Sequence, residues 1–131
     1  MEWLTQYVRR YIDLEPLAPR VVRVMAALPE SVLRDLLDDP HFHLAMEDYQ
    51  PGRGTKVFMA VGGGPWSGSR SVVLRPRLAT CREEFALYVI AHEFAHAFLR
   101  NGAWEEFEDP EHAADALAAS WGFSRPPGGW W

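Results

Sequence analysis

Between Thr80 and Gly102 the chain runs about 20 residues without a glycine or a proline, and Asn101-Gly102 supplies a stop at the end. A stretch of that length without a breaker predicts one long helix. Thr80, with Glu83 three residues later, predicts a capping box at its start. At about 100° per residue, Leu87, Ile90, Ala91, Phe94, Ala97 and Phe98 share a broad apolar face, and Phe85, Tyr88 and Val89 flank the opposite side. A helix apolar nearly all round has to be buried. Its exception is a cluster of three ionisable side chains, His92, Glu93 and His96. Buried polar groups without partners cost free energy, so the cluster needs a physical reason.

The cluster spells His-Glu-x-x-His. Helical positions four apart lie about 5–6 Å from each other on one face, so both imidazoles can reach one metal ion. Glu93, next round the helix, can hold a water on that ion. A catalytic zinc takes three protein ligands and keeps a fourth position for water. The downstream candidates for the third ligand are Glu105, Glu106, Glu108, Asp109, Glu111, His112 and Asp115. Asp109 and Pro110 predict the start of a last helix, and Gly122 its end. On that helix Glu111 and Asp115 share a face with Ala114 and Ala118, small enough for close approach to the histidine helix. Glu111 is then the expected third ligand and His112 its rival. Asp115 is expected to accept the second ring N–H of a metal-bound histidine. Zinc is the default ion, although manganese, cobalt or nickel could use the same ligands.

The rest of the chain reads as scaffold. Residues 1–14 predict an amphipathic helix with Trp3, Leu4, Tyr7, Val8, Tyr11 and Leu14 at helical spacing, broken by Pro16 and Pro19. Further helices are expected over Arg20–Leu28 and Pro29–Leu37, with Asp38-Asp39-Pro40 as a stop. Beyond His41 the pattern alternates. Strands are expected around Phe42–Met46, over Lys56–Val61 and over Ser71–Arg75, with turns at Gln50–Gly54 and Gly62-Gly63-Gly64-Pro65. The triple glycine lacks the following lysine and hydroxyl residue of a phosphate loop. The expected fold is α+β: a small antiparallel or mixed sheet of about three strands packed on the histidine helix, with helices before it and the glutamate helix after it. His41 and His43 are read as satisfied or exposed, and Cys81 as a small buried residue.

At 131 residues and 48% hydrophobic, the chain is expected to be a single domain, 1–131, with residues 124–131 as a non-helical tail. A net charge of −5 argues against a nucleic-acid surface. The N-terminus lacks the pattern of a signal peptide, and no stretch is long and apolar enough for a membrane span. The single cysteine suits a reducing compartment, so the cytoplasm is the expected address. Oligomeric state is left open.

His92-Glu93-x-x-His96 followed by Glu111-x-x-Ala114-Asp115 resembles the gluzincin metallopeptidases, whose second motif is a glutamate with an aspartate or similar residue four positions on. It is also similar to the metallopeptidase domain of the ImmA/IrrE group. The detailed match covers residues 88–123. The resemblance implies a zinc peptidase acting on a peptide or protein, with Glu93 as general base and His92, His96 and Glu111 on the metal. It further implies an edge strand that aligns substrate, for which Ser71–Arg75, with Val73 at its middle, is the candidate, and a cleft that Tyr88 could line. Minimal gluzincins held latent by their own termini suggest that Trp130-Trp131 could plug the cleft. Two departures stand out. There is no counterpart of the histidine or tyrosine that stabilises the oxyanion in larger gluzincins, and Gly102 occupies the place of the third metzincin histidine. The same site would also suit a metal-binding regulatory or interaction module without useful turnover; a structural zinc site would have no use for Glu93.

Overall fold

Leu4 and Val8, one helical turn apart, are fully buried, and they anchor helix α1 (Glu2–Tyr11) to the core. Trp3 and Tyr11 of the expected apolar set instead remain about half exposed, at 50% and 48%. The structure, a computed structural model, describes residues 2–46, 48–50, 54–56, 70–99 and 110–127, with backbone alone at 48–50, 54–56, 70, 110 and 111. The strand expected over Lys56–Val61 beyond Lys56, the turn at Gly62–Pro65, the stop at Asn101-Gly102, the cap at Asp109 and the plug at Trp130-Trp131 fall outside the described residues.

Helix α2 spans Leu17–Ala27 and α3 spans Glu30–Leu37. The first starts earlier than its prolines suggest, because Pro19 sits in the first turn, where a missing N–H removes no intrahelical bond. Val21, Val24 and Met25 from α2 and Leu36 from α3 are fully buried. The chain then enters β1 (Phe42–Met46), β2 (Asp48–Gln50), β3 (Gly54–Lys56) and β4 (Arg70–Leu74).

The fold is α+β, but its strands do not form the expected three-stranded sheet. Among the described residues there are two separate pairs, β1 with β4 in parallel and β2 with β3 antiparallel. The parallel register sets Leu44 beside Val72 and Met46 beside Leu74. Residues 47–69 exceed the roughly dozen residues that a crossover needs, so the chain can return in the same direction. Alternation in sequence reports which side chains are buried; it does not report strand direction.

A 3₁₀ turn over Pro76–Ala79 leads to α4 (Glu83–Leu99). Thr80 does not cap α4: its hydroxyl donates back to the Arg77 carbonyl at 3.2 Å, and the helix begins three residues later. A hydroxyl within reach of a local carbonyl has that alternative to capping. Ten of the 17 residues of α4 are buried, which bears out a helix enclosed on nearly every side. Phe94 meets Phe42 of β1 at a ring separation of 6.2 Å, fixing α4 to the sheet.

Helix α5 (Pro110–Ser120) begins with Pro110 at its first position, as expected. It ends in a Schellman cap: Phe123 N–H donates to Ala118 O and Gly122 N–H to Ala119 O, both at 3.0 Å. Gly122 has φ 102°, a left-handed conformation that favours glycine. No helix among the described residues is long and apolar enough to cross a membrane.

One cation ties the first helices to the start of α4. Arg20 Nη1, from α2, donates to Leu78 O at 2.6 Å and to Cys81 O at 3.1 Å. Charged donors to carbonyls contribute about 1.5–3 kcal/mol. Arg20→Met should therefore lower unfolding free energy by roughly that amount in urea titrations. An unchanged midpoint would show that the clamp is dispensable.

Candidate metal centre

Tyr88, His92 and His96 follow at steps of four along α4 and so share one of its faces. Helix α5 comes against it through small side chains. Ala113 and Ala114 pack with Ala95 and Leu99 in one buried cluster, and Ala118 joins the main core. Where the contact is made by alanines, the short carboxylate of Asp115 reaches across. Its Oδ1 lies 2.8 Å from His92 Nδ1 and accepts a 2.5 Å hydrogen bond from the Tyr88 hydroxyl. This is the role expected of Asp115.

These contacts determine the protons. An ionised carboxylate only accepts, so both Tyr88 and His92 donate to it, and His92 carries its proton on Nδ1. In the neutral imidazole Nε2 then presents a lone pair. His96 Nε2 lies 3.0 Å from it, with the two rings edge to face at 85°. Two lone pairs at that distance repel unless a proton or a cation lies between them. Burial pushes the Asp115 carboxyl up, but the hydrogen bonds from Tyr88 and His92, with the charge of Arg125, outweigh it and hold the group below its usual value.

Imidazole nitrogen is a donor that zinc takes. Two nitrogens on one tetrahedral zinc, each at about 2.0–2.1 Å, stand roughly 3.3–3.4 Å apart, a few tenths beyond the observed separation. The His92 side chain is only 12% exposed, so little rotamer entropy is left to lose on binding. Glu111 lies on α5 one turn before Asp115, but its side chain is outside the described residues. Among the described residues no group of three histidine, cysteine, aspartate or glutamate side chains is gathered to hold a metal, and only two of the three expected ligands are described. His112 is exposed.

Glu93, the next residue, lies about 100° round the helix from His92. It enters a cavity of about 370 Å³ together with Val73, Leu74 and Arg75, and with Leu78 and Val89. The expected base and the expected substrate strand thus share one space. Tyr88 does not line that cavity; its ring meets Phe85 edge-on at 5.8 Å and its hydroxyl is used on Asp115. His41 and His43 are exposed, and His43 lines a different cavity of about 510 Å³ with Arg10, Tyr11 and the rest of β1. Cys81 is half-buried, its thiol directed at Arg82 O at 3.6 Å. The tail is described as far as Pro127, whose carbonyl accepts from Arg82 Nη2 at 2.8 Å.

Two features escaped the sequence. Arg75 was read as a strand end and stands in the Glu93 cavity. The Tyr88 hydroxyl finds its partner 27 residues away, and its only sequence signal is the four-residue step to His92.

Comparison with protein-family models, with curated proteins and with solved structures returned no match.

The small-residue contact between α4 and α5 should be intolerant of bulk. Ala114→Leu should cost about 1–3 kcal/mol by overpacking and should also weaken zinc binding by moving Asp115 off His92. A variant with wild-type stability and zinc affinity would show that close helix approach is not what builds the site.

Proposed function

We propose that the chain is a small zinc-dependent peptidase of the gluzincin type, with His92, His96 and Glu111 as ligands and Glu93 as general base. The observation that carries this reading is the convergence of His92 Nε2 and His96 Nε2 to 3.0 Å. Asp115 on the far nitrogen of His92 supports it, as does the cavity that Glu93 enters.

A zinc ion bound there would supply Lewis acidity, bringing the pKa of bound water down towards about 7 and polarising a scissile carbonyl. The protein's own groups do the rest. The Asp115 carboxylate holds His92 in the tautomer whose Nε2 lone pair is available for binding. Glu93 takes the proton of the attacking water and passes it to the departing amine nitrogen, which closes the proton balance of amide hydrolysis. β4 pairs with β1 on one side only among the described residues, and Val73 and Leu74 bring it to the Glu93 cavity. A peptide laid along the other edge would gain backbone hydrogen bonds and bring its carbonyl towards Glu93.

Glu93→Gln separates binding from chemistry. The variant should keep its zinc while hydrolysis of a quenched-fluorescence peptide library falls by about 10²–10⁴-fold. Unchanged turnover in the variant would contradict the assignment of the base. A zinc-loaded wild type that cleaves nothing in the library would favour a metal-binding interaction module.

A further inference from the structure

Tyr88 is buried, at 8% exposure, yet its hydroxyl is committed to a carboxylate that is 41% exposed. A buried phenol hydroxyl takes a hydrogen-bond partner, and here that partner is the carboxylate that also holds His92. Asp115, conversely, is open enough to water that one contact with His92 would leave its carboxylate free to turn. The Tyr88 hydroxyl removes that freedom, because it and His92 Nδ1 converge on the same oxygen, Oδ1, at 2.5 and 2.8 Å. Short O–H···O⁻ bonds of this kind are among the stronger hydrogen bonds in proteins. The donors stand four residues apart on α4 and the acceptor is on α5, so one oxygen joins two rungs of one helix to the other helix.

We propose that Tyr88 is a positioning residue of the metal centre: by fixing Asp115 Oδ1 it keeps the proton of His92 on Nδ1 and so presents Nε2 to the ion. The proposal rests on the metal reading given above. Without the hydroxyl, the carboxylate can rotate towards water and the imidazole can exchange its proton between nitrogens. Molecules with the proton on Nε2 cannot bind metal through that atom until it is lost or moved. The Tyr88 hydroxyl is given to Asp115, and its effect on His92 runs through that carboxylate.

The test uses the full chain, free of metal and ¹⁵N-labelled, at about pH 8, where an ordinary imidazole is neutral. Ring-nitrogen correlations should show His92 as a single Nδ1–H tautomer in the wild type and as a mixture in Tyr88→Phe. Phe85→Leu disturbs the packing around the Tyr88 ring but not its hydroxyl, and should leave the tautomer unchanged. Zinc affinity, measured against a competing chelator, should fall about tenfold in Tyr88→Phe. In an Asp115→Ala background the same substitution should change it by less than about twofold, because the route of action is already gone.

A Tyr88→Phe protein with the wild-type tautomer and affinity would overturn the proposal. So would an undiminished loss in the Asp115→Ala background, or a shift of tautomer in Phe85→Leu as large as that in Tyr88→Phe. A wild type that binds no zinc would remove the metal reading and, with it, the link to an ion. The tautomer comparison would still decide whether Tyr88 governs His92.

Discussion

The structure depends on one carboxylate crossing between two helices. Asp115 is short, and it reaches both Tyr88 and His92 beside a buried contact between α4 and α5 made by Ala95, Leu99, Ala113 and Ala114. The requirements reinforce each other. Close approach puts the acceptor within hydrogen-bonding distance, and the accepted bonds offset the cost of setting polar groups on an otherwise apolar helix. That crossing places the Asp115 carboxylate on His92 Nδ1 and so bears on which ring nitrogen carries the proton.

The remainder of the fold holds α4 in place and leaves one side of it accessible. Arg20 fastens α2 to the turn that leads into α4, and Phe42 meets Phe94 from the sheet. With those contacts made, Glu93 projects into the space beside Val73 and Leu74 of β4, away from the Asp115 side. The histidines and the base thus lie on neighbouring faces of one helix with different surroundings. One is hydrogen-bonded and enclosed; the other borders a cavity large enough for a side chain and water.

How much of this the sequence discloses depends on distance along the chain. The helix from Glu83 to Leu99, its enclosure, and the small face of α5 with Asp115 all follow from local periodicity, and the structure carries them. Thr80 reads as a cap from sequence because Glu83 follows three residues on, but the Arg77 carbonyl is equally local and is the partner its hydroxyl uses. The parallel pairing of β1 with β4 was not legible, because alternation is the same whichever way a neighbour runs. Tyr88 reads as an aromatic packing residue because its ring is one, while the hydroxyl's partner lies on another helix. Glu111 was selected by its place one turn before Asp115; its helix is as expected, and its side chain lies outside the described residues.

The central claim is that this two-helix arrangement is a metal site. Elemental analysis of the purified chain tests it most directly, with Glu111→Ala prepared in parallel. The account predicts one zinc per wild-type chain and little or none in the variant. A wild type without stoichiometric metal would contradict the site itself, and equal zinc in both proteins would contradict Glu111 as its third ligand.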